Sequence, residues 1–335
     1  MSLEPKPLLQ ALGGQVCQPP PVWLMRQAGR HLPEYRDVRY KAGGFLDLVT
    51  DPARAAEVTL QPVRRYGLDG SILFSDILVV PWALGQDLRF ETGEGPKLGP
   101  LPARLSADIL DMQVLAPIFE TLRRLKTALQ GSTVTQLGFV GAPWTVATYM
   151  IEGGKPGFER SRAYLKTPSA STLLDVLIKA TLVYAKAQIA AGAEVIQIFD
   201  SWAGQLDEAE LETWCLEPLA ILAEALAPTP VILFPRGASK TLAWFKERLG
   251  SGFGFGLGEE ADLDQAQRAS QGQICLQGNL SPQILLGPVK EQERAIATLL
   301  SRTQGTPHIV NLGHGVDKAT EPARVQALVD QVKAG

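Results

Sequence analysis

The sequence predicts a (β/α)8 TIM barrel formed by a single domain, and three observations predict it. Eight short apolar or β-branched runs are spread along the chain, segments with helical periodicity separate them, and polar residues gather just beyond the runs. Alternating β and α units give a parallel sheet wrapped by helices, and eight such units close into a barrel. The first run, 21–25, is Pro-Val-Trp-Leu-Met, the second, 71–74, is Ser-Ile-Leu-Phe, and the third, 136–141, is Gln-Leu-Gly-Phe-Val-Gly. The fourth, 194–199, and fifth, 230–234, read Glu-Val-Ile-Gln-Ile-Phe and Pro-Val-Ile-Leu-Phe. The sixth, 252–257, alternates glycine with Phe253, Phe255 and Leu257, the seventh is 273–277, and the eighth, 308–312, starts at His308. Most lack strict polar alternation, as strands buried on both faces do. Between them Asp51-Pro52 opens a helix with a capping carboxylate and a proline at its first position. Gly67, Gly131, Gly192, Gly250 and Gly272 each close one. A doubly wound open sheet is the alternative, but no Gly-x-Gly-x-x-Gly fingerprint follows the first run. With no linker or internal repeat, residues 1–335 read as one domain, with 1–20 as an N-terminal extension.

Composition excludes several function classes. Of 335 residues, 45% are hydrophobic and 20% charged, which suits a soluble globular chain, and a formal charge of −3 gives no reason to expect nucleic-acid or membrane-surface binding. No apolar stretch is long enough to span a bilayer, and the acidic, proline-containing N-terminus does not read as a signal peptide. Cys17, Cys215 and Cys275 are odd in number and far apart, so neither a disulfide framework nor a thiolate zinc site follows from them. A cytoplasmic location is expected.

A barrel places its functional groups after the strands, at their C-terminal ends. Arg26, Arg30 and Arg36 follow the first run, Ser75 and Asp76 the second, and Thr145 and Tyr149 the third. Asp200-Ser201-Trp202 follow the fourth, Arg236 the fifth, Gly278-Asn279 the seventh and Gly313-His314-Gly315 the eighth. Each candidate also has a plain structural reading. The arginines could be a solvated basic turn; if that turn is helical, Arg26 and Arg30 share one face. Asp76, set among apolar residues, either caps or pairs locally, or is a cleft carboxylate. Tyr149 could be a packing aromatic, and Ser201 a cap for a helix starting near Asp207. His314, flanked by glycines, is the best placed of the three histidines.

Several barrel chemistries lack their residues here. No run carries a Schiff-base lysine, there is no His-x-His or His-Glu-x-x-His spacing, and Gly-x-Ser-x-Gly is missing. Arginine clamps, one central carboxylate, a tyrosine, a serine and a histidine remain. That set suits a multiply anionic organic molecule that supplies much of its own reactivity.

These residues resemble the uroporphyrinogen decarboxylase family of haem and chlorophyll biosynthesis. The resemblance rests on Pro21-Val-Trp-Leu-Met-Arg-Gln-Ala-Gly-Arg30 and Gly138-Phe-Val-Gly-Ala-Pro-Trp-Thr-Val-Ala-Thr-Tyr149. The segments Phe74-Ser-Asp-Ile-Leu-Val-Val-Pro81, Phe199-Asp-Ser-Trp202, Leu276-Gln-Gly-Asn279 and Asn311-Leu-Gly-His-Gly315 match in the same order. It implies a homodimeric barrel working without cofactor or metal on uroporphyrinogen, a small-molecule substrate. The substrate-contacting positions it implies are Arg26, Gln27, Ala28, Gly29, Arg30, Asp76, Tyr149, Ser201 and His314, with Asp76 as transition-state stabiliser and Arg26 also catalytic. Two segments depart from the family pattern: Leu257-Gly-Glu-Glu260, where Leu-Asp-Trp is expected, and Lys155-Pro-Gly-Phe-Glu-Arg160. Three rivals stand beside this reading. A zinc- and corrinoid-dependent methyltransferase shares the barrel but needs a His-x-Cys pair near the seventh strand, and Cys275 has no neighbouring histidine. A non-catalytic tetrapyrrole carrier would use the same arginines. A phosphate-binding lyase would use the glycines after the seventh and eighth runs.

Overall fold

The computed structural model describes residues 5–91, 95–154 and 157–335. Seven parallel strands form one curled sheet in the order β1-β4-β5-β6-β7-β8-β9. They are β1 (Gly70–Ile72), β4 (Thr135–Gly141), β5 (Val195–Asp200), β6 (Val231–Pro235), β7 (Phe253–Gly256), β8 (Cys275–Gln277) and β9 (His308–Ile309). The first predicted run is the eighth stave, held by sparse bonds rather than a continuous ladder. The Val310 N–H donates to Pro21 O at 2.8 Å and the Trp23 N–H to Val310 O at 3.3 Å on one side. On the other, the Asp69 N–H donates to Val22 O at 2.9 Å, and the Val22 N–H reaches the Asp69 carboxylate at 2.8 Å. Segment 21–25 thus closes the ring between β9 and β1.

Several apolar runs extend beyond the continuous ladder, with isolated bridges continuing the pairing at Val22↔Val310 and Leu280↔Leu312. The strand predicted at 71–74 is paired over Gly70–Ile72, and that at 308–312 over His308–Ile309. A hairpin was missed: β2 (Leu88–Glu91) pairs antiparallel with β3 (Gly95–Leu98). Its apolar residues, Leu88, Phe90 and Leu98, alternate with charged ones over strands of four residues, too short to read as a buried run. The Leu98 N–H donates to Gly153 O at 3.0 Å, so the hairpin leans on the end of the Pro143–Glu152 helix.

Helix punctuation follows its local chemistry. Asp51 accepts from the N–H groups of Ala53 and Arg54 and starts the Pro52–Tyr66 helix, which ends at Gly67 with φ 68. Gly192 and Gly250 also sit at helix ends, but Gly131 and Gly272 lie just beyond them, the caps being Leu129 and Gln271. At the N-terminal end of the strands the Pro7–Leu12 helix plugs the barrel. Leu8 and Leu12 are buried, a β-carbon at Gly254 would lie 2.6 Å from Leu12 Cδ2, and Lys6 pairs with Glu194 at 2.6 Å. The interior carries a polar link between staves: Trp23 Nε1 donates to Gln277 Oε1 at 2.8 Å, and Gln277 Nε2 to Gln197 Oε1 at 3.1 Å. Such bonds between buried side chains favour one register where apolar packing alone would tolerate slippage.

Candidate active site

The closing stave delivers Arg26 to the C-terminal mouth. The turn there is not helical: residues 26–30 are turn and bend, and Arg26 itself has φ 58. For a residue with a β-carbon that conformation costs on the order of 1 kcal/mol, so neighbouring bonds must hold it. They do. Gln27 is buried, and its side chain accepts from the Leu24 N–H at 3.1 Å and donates to Gly70 O at 3.0 Å. The Met25 N–H donates to Asn311 Oδ1 at 3.0 Å, and the Val316 N–H to Met25 O at 2.9 Å. Gln27 therefore shapes the turn with its side chain, facing the barrel and not the mouth.

Arg26 is exposed, and its aliphatic stem lies on Gly315. Among the described residues, no backbone N–H of Arg26, Ala28, Gly29 or Arg30 finds a partner within the chain. Successive free N–H groups beside guanidinium side chains form a setting for anions. Arg30 is exposed further along the loop: its carbonyl accepts from Arg36 Nη1 at 3.3 Å, and its charge is felt at Tyr35.

Asp76 sits just beyond β1, half-buried. Its Oδ1 accepts from the Leu78 N–H at 2.8 Å. Burial pushes its carboxyl up to about 6, against the opposing pull of that N–H and of the Arg26 guanidinium. Arg26 and Asp76 are close enough to influence each other, yet they form no ion pair. Tyr149, on the Pro143–Glu152 helix, is half-buried; burial and the nearby Asp76 raise its hydroxyl pKa, while Arg26 lowers it. Burial, Arg26 and Arg236 hold His314 down to about 4, with Glu259 and Glu260 opposing them. Its imidazole is therefore neutral at pH 7. Arg26, Asp76, Tyr149 and His314, which come from three staves and one helix, thus share one mouth.

Ser201 follows β5, half-buried, and caps nothing; the helix at Glu208–Leu211 is capped by Asp207 instead. The neighbouring Trp202 ring packs on Tyr149, with centroids 6.2 Å apart. The other histidines are structural. His31 is buried and stacked on Tyr66 at 6.4 Å, and His308 Nε2 lies 2.7 Å from Gly278 O.

Asp200 and Arg236, placed at strand ends by the sequence but given no role there, and Arg39, which the sequence did not single out, have distinct surroundings. Asp200 is fully buried, accepts from Thr145 Oγ1 at 2.5 Å and is pushed up to about 6 by burial. The Trp202 N–H donates to Thr145 Oγ1 at 3.2 Å, so this carboxylate braces the start of the Tyr149 helix against the Ser201 loop. Arg39 stacks over Phe45 at 5.5 Å, with its Nη1 buried and without a partner. Arg236 follows β6, and its charge is felt at His314. The motif Phe199-Asp-Ser-Trp202 flagged Asp200 as a strand-end residue but gave no sign of its partner, 55 residues earlier. Of the two departing segments, Leu257–Glu260 has Glu260 accepting from the Gly237 N–H at 2.9 Å and Glu259 accepting from Ser281 at 2.5 Å. In the other, Lys155 and Pro156 lie outside the described residues. A separate cavity of about 410 Å³, lined by Pro7, Gln10, Cys17, Asp69 and Lys333, contains none of the mouth residues.

Comparison with known proteins follows the same lines. The family model described as uroporphyrinogen decarboxylase (URO-D) matches residues 3–335. The chain is 48% identical over 342 residues to a uroporphyrinogen decarboxylase of Rhodospirillum rubrum, covering 98% of this chain and 97% of that one. It is 45% identical over 339 residues to one of Chelativorans sp., covering 98% of both. A solved methyltransferase from Methanosarcina mazei has the same fold, with a TM-score of 0.78 at 22% identity over 98% of this chain and 97% of that one. A B12-independent methionine synthase from Shewanella is similar at a TM-score of 0.53 and 13% identity, over 86% of this chain and 88% of that one.

Proposed function

This chain belongs to the uroporphyrinogen decarboxylase family, and from that premise we propose that it is a carboxy-lyase converting the four acetate side chains of uroporphyrinogen III to methyl groups, giving coproporphyrinogen III. One observation carries the proposal for the site. Asp76 keeps one oxygen on the Leu78 N–H and presents the other, unpaired, to a mouth it shares with an unpaired Arg26. Opposite charges this near would ordinarily neutralise each other. Held apart, each is free for a ligand that carries both cationic and anionic parts.

The reaction requires that. Breaking the C–C bond of an acetate releases CO2 and leaves an electron pair that must be accepted. Protonation of the pyrrole α-carbon next to the one bearing the acetate creates a ring cation conjugated with the acetate methylene, and that cation accepts the pair as an exocyclic double bond forms. The exocyclic methylene then takes up a proton to become methyl while the ring carbon loses one, so the net change is one proton in and one CO2 out. Asp76 receives the pyrrole N–H groups and stabilises the ring cation. In a water-poor mouth a fixed carboxylate contributes several kcal/mol more to the cationic transition state than to the neutral ground state. Arg26 and Arg30 hold the peripheral carboxylates, aided by the free N–H groups of Ala28 and Gly29. Tyr149, Ser201 and neutral His314 fix orientation through hydrogen bonds. Gln27 acts through the Arg26 turn.

The methyltransferase rival needs a thiolate zinc ligand. Cys275 is buried in β8 and burial raises its thiol pKa strongly, which does not favour that role. A homodimer implied by the family resemblance, a cytoplasmic location expected from composition and one domain over 1–335 expected from the unbroken β/α alternation belong to the same proposal, and sedimentation, fractionation and limited proteolysis test them in turn. The test of the activity itself is anaerobic incubation with uroporphyrinogen in EDTA, with products oxidised and separated as porphyrins. Stepwise loss of four carboxyls ending at coproporphyrin is expected. Binding without CO2 release would make the chain a carrier, and inhibition by phosphate with no porphyrinogen turnover would favour the lyase.

A further inference from the structure

Beyond the residues given roles so far, we propose that Arg236 is a substrate-carboxylate clamp on the wall opposite Arg26, and so a further binding residue of this site. The inference rests on the decarboxylase reading and extends it. Around the closed ring, segment 21–25 and β6 are separated by three staves on either side, so Arg26 and Arg236 rise from opposite walls of the mouth. His314 lies within the field of both guanidinium groups. A substrate with carboxylates around its whole rim needs holds on more than one wall, and the Arg26 loop occupies only one.

The backbone of Arg236 is pinned on every side. Its N–H donates to Asp200 O at 3.0 Å, its carbonyl accepts from the Gly204 N–H at 2.9 Å, and the next N–H, of Gly237, donates to Glu260 Oε1 at 2.9 Å. Gly204 and Gly237 touch so closely that a β-carbon at Gly204 would lie 2.8 Å from Gly237 Cα. The side chain, by contrast, is uncommitted. It is half-buried, and among the described residues it makes no hydrogen bond or ion pair. Glu260 accepts instead from the Gly237 N–H, and Glu259 from Ser281. A rigid root bearing a free guanidinium fork, partly withdrawn from water, is preorganised for a bidentate carboxylate.

The test compares wild type with Arg236→Gln and Arg236→Lys in steady-state turnover of uroporphyrinogen. Arg236→Gln should raise KM about tenfold with kcat within about twofold, the loss of one charge-assisted contact made equally in ground and transition states. Arg236→Lys should recover only part of that loss, leaving KM about fivefold above wild type, because charge is kept and the fork is lost. If Arg236→Gln does not accumulate as folded protein, Arg236→Met replaces it with the same thresholds. An unchanged KM in the neutral variant overturns the proposal, as does an equal fall in kcat for both variants, which would mark a structural role. If wild type itself forms no coproporphyrinogen, the decarboxylase reading fails first and takes this clamp with it.

Discussion

The Arg26 stem runs across the α-carbon of Gly315, so closely that a β-carbon at 315 would overlap Arg26 Cγ and Cδ. Residue 315 therefore needs to be glycine for steric reasons set by a side chain 289 positions earlier. The left-handed Arg26 backbone and the bare α-carbon of Gly315 together aim one guanidinium.

Gly315→Ala should accordingly behave as an Arg26 variant. We expect kcat/KM to fall at least about tenfold while the thermal midpoint moves by only a few degrees. Arg26→Lys, which keeps charge and loses the fork, should fall by a similar factor. Kinetics alongside thermal melts check both. A Gly315→Ala enzyme with normal kinetics would mean that the aim of Arg26 is immaterial.

Asp76→Asn keeps shape and removes charge. The expected loss in kcat is about 10²–10³-fold, in the range seen when one preorganised electrostatic group is deleted. The same variant should be more stable than wild type at pH 7. The folded carboxyl titrates near 6, above its ordinary value, so holding it ionised at neutral pH opposes folding. Its removal should stabilise by about 1–2 kcal/mol after allowance for its partial exposure. Denaturant titration and single-turnover assays on one preparation measure both effects.

The pH profile follows from the same group. Asp76 must be ionised to stabilise a cation and is pushed up to about 6, so log kcat/KM should decline with unit slope below about pH 6. His314, held near 4, should add no inflection between pH 6 and 8. Stability has two opposing contributions on the acid side. Asp76 and Asp200, both raised to about 6, make the fold lose stability as pH rises from about 4 to 6. His31, His308 and His314, all lowered to about 4, make it gain stability as pH rises over about 4 to 6.5. Replacing both aspartates with asparagine should therefore leave a fold whose thermal midpoint climbs more steeply with pH across that window.

Thr145→Val removes the hydroxyl that Asp200 accepts from and that the Trp202 N–H donates to. Two buried polar groups lose a partner, so destabilisation of about 2–4 kcal/mol is expected. Activity should fall with it, because the Tyr149 helix and the Ser201 loop are braced through this contact. Urea unfolding and turnover measured together check the pair of effects.

Much of the barrel was legible because buried parallel strands declare themselves as apolar runs and their helices as capped, periodic segments. The closing stave was legible as a run but not as a loosely bonded one, since only the ring geometry limits its ladder to two bridging points. The β2–β3 hairpin escaped because its apolar face is short, Leu88, Phe90 and Leu98 alternating with Arg89, Glu91 and Lys97 rather than forming a continuous run. At the mouth, chemistry-bearing residues at strand ends could be picked from sequence, but their division of labour could not. Gln27 and Arg30 stand one and four positions after Arg26, yet one is buried with its side chain on the β1 backbone and the other is exposed on the loop. Asp200 and Arg236 act through partners distant in sequence, and no local pattern announces such pairs.

The stave that joins the two ends of the curled sheet is also the one that carries the Arg26 loop. The seam of the cylinder and the grip on its guest are thus a single stretch of backbone. A bound guest would act as a latch, damping the opening of this joint before any other, and amide exchange at Trp23 and Val310 should slow first when the mouth is filled.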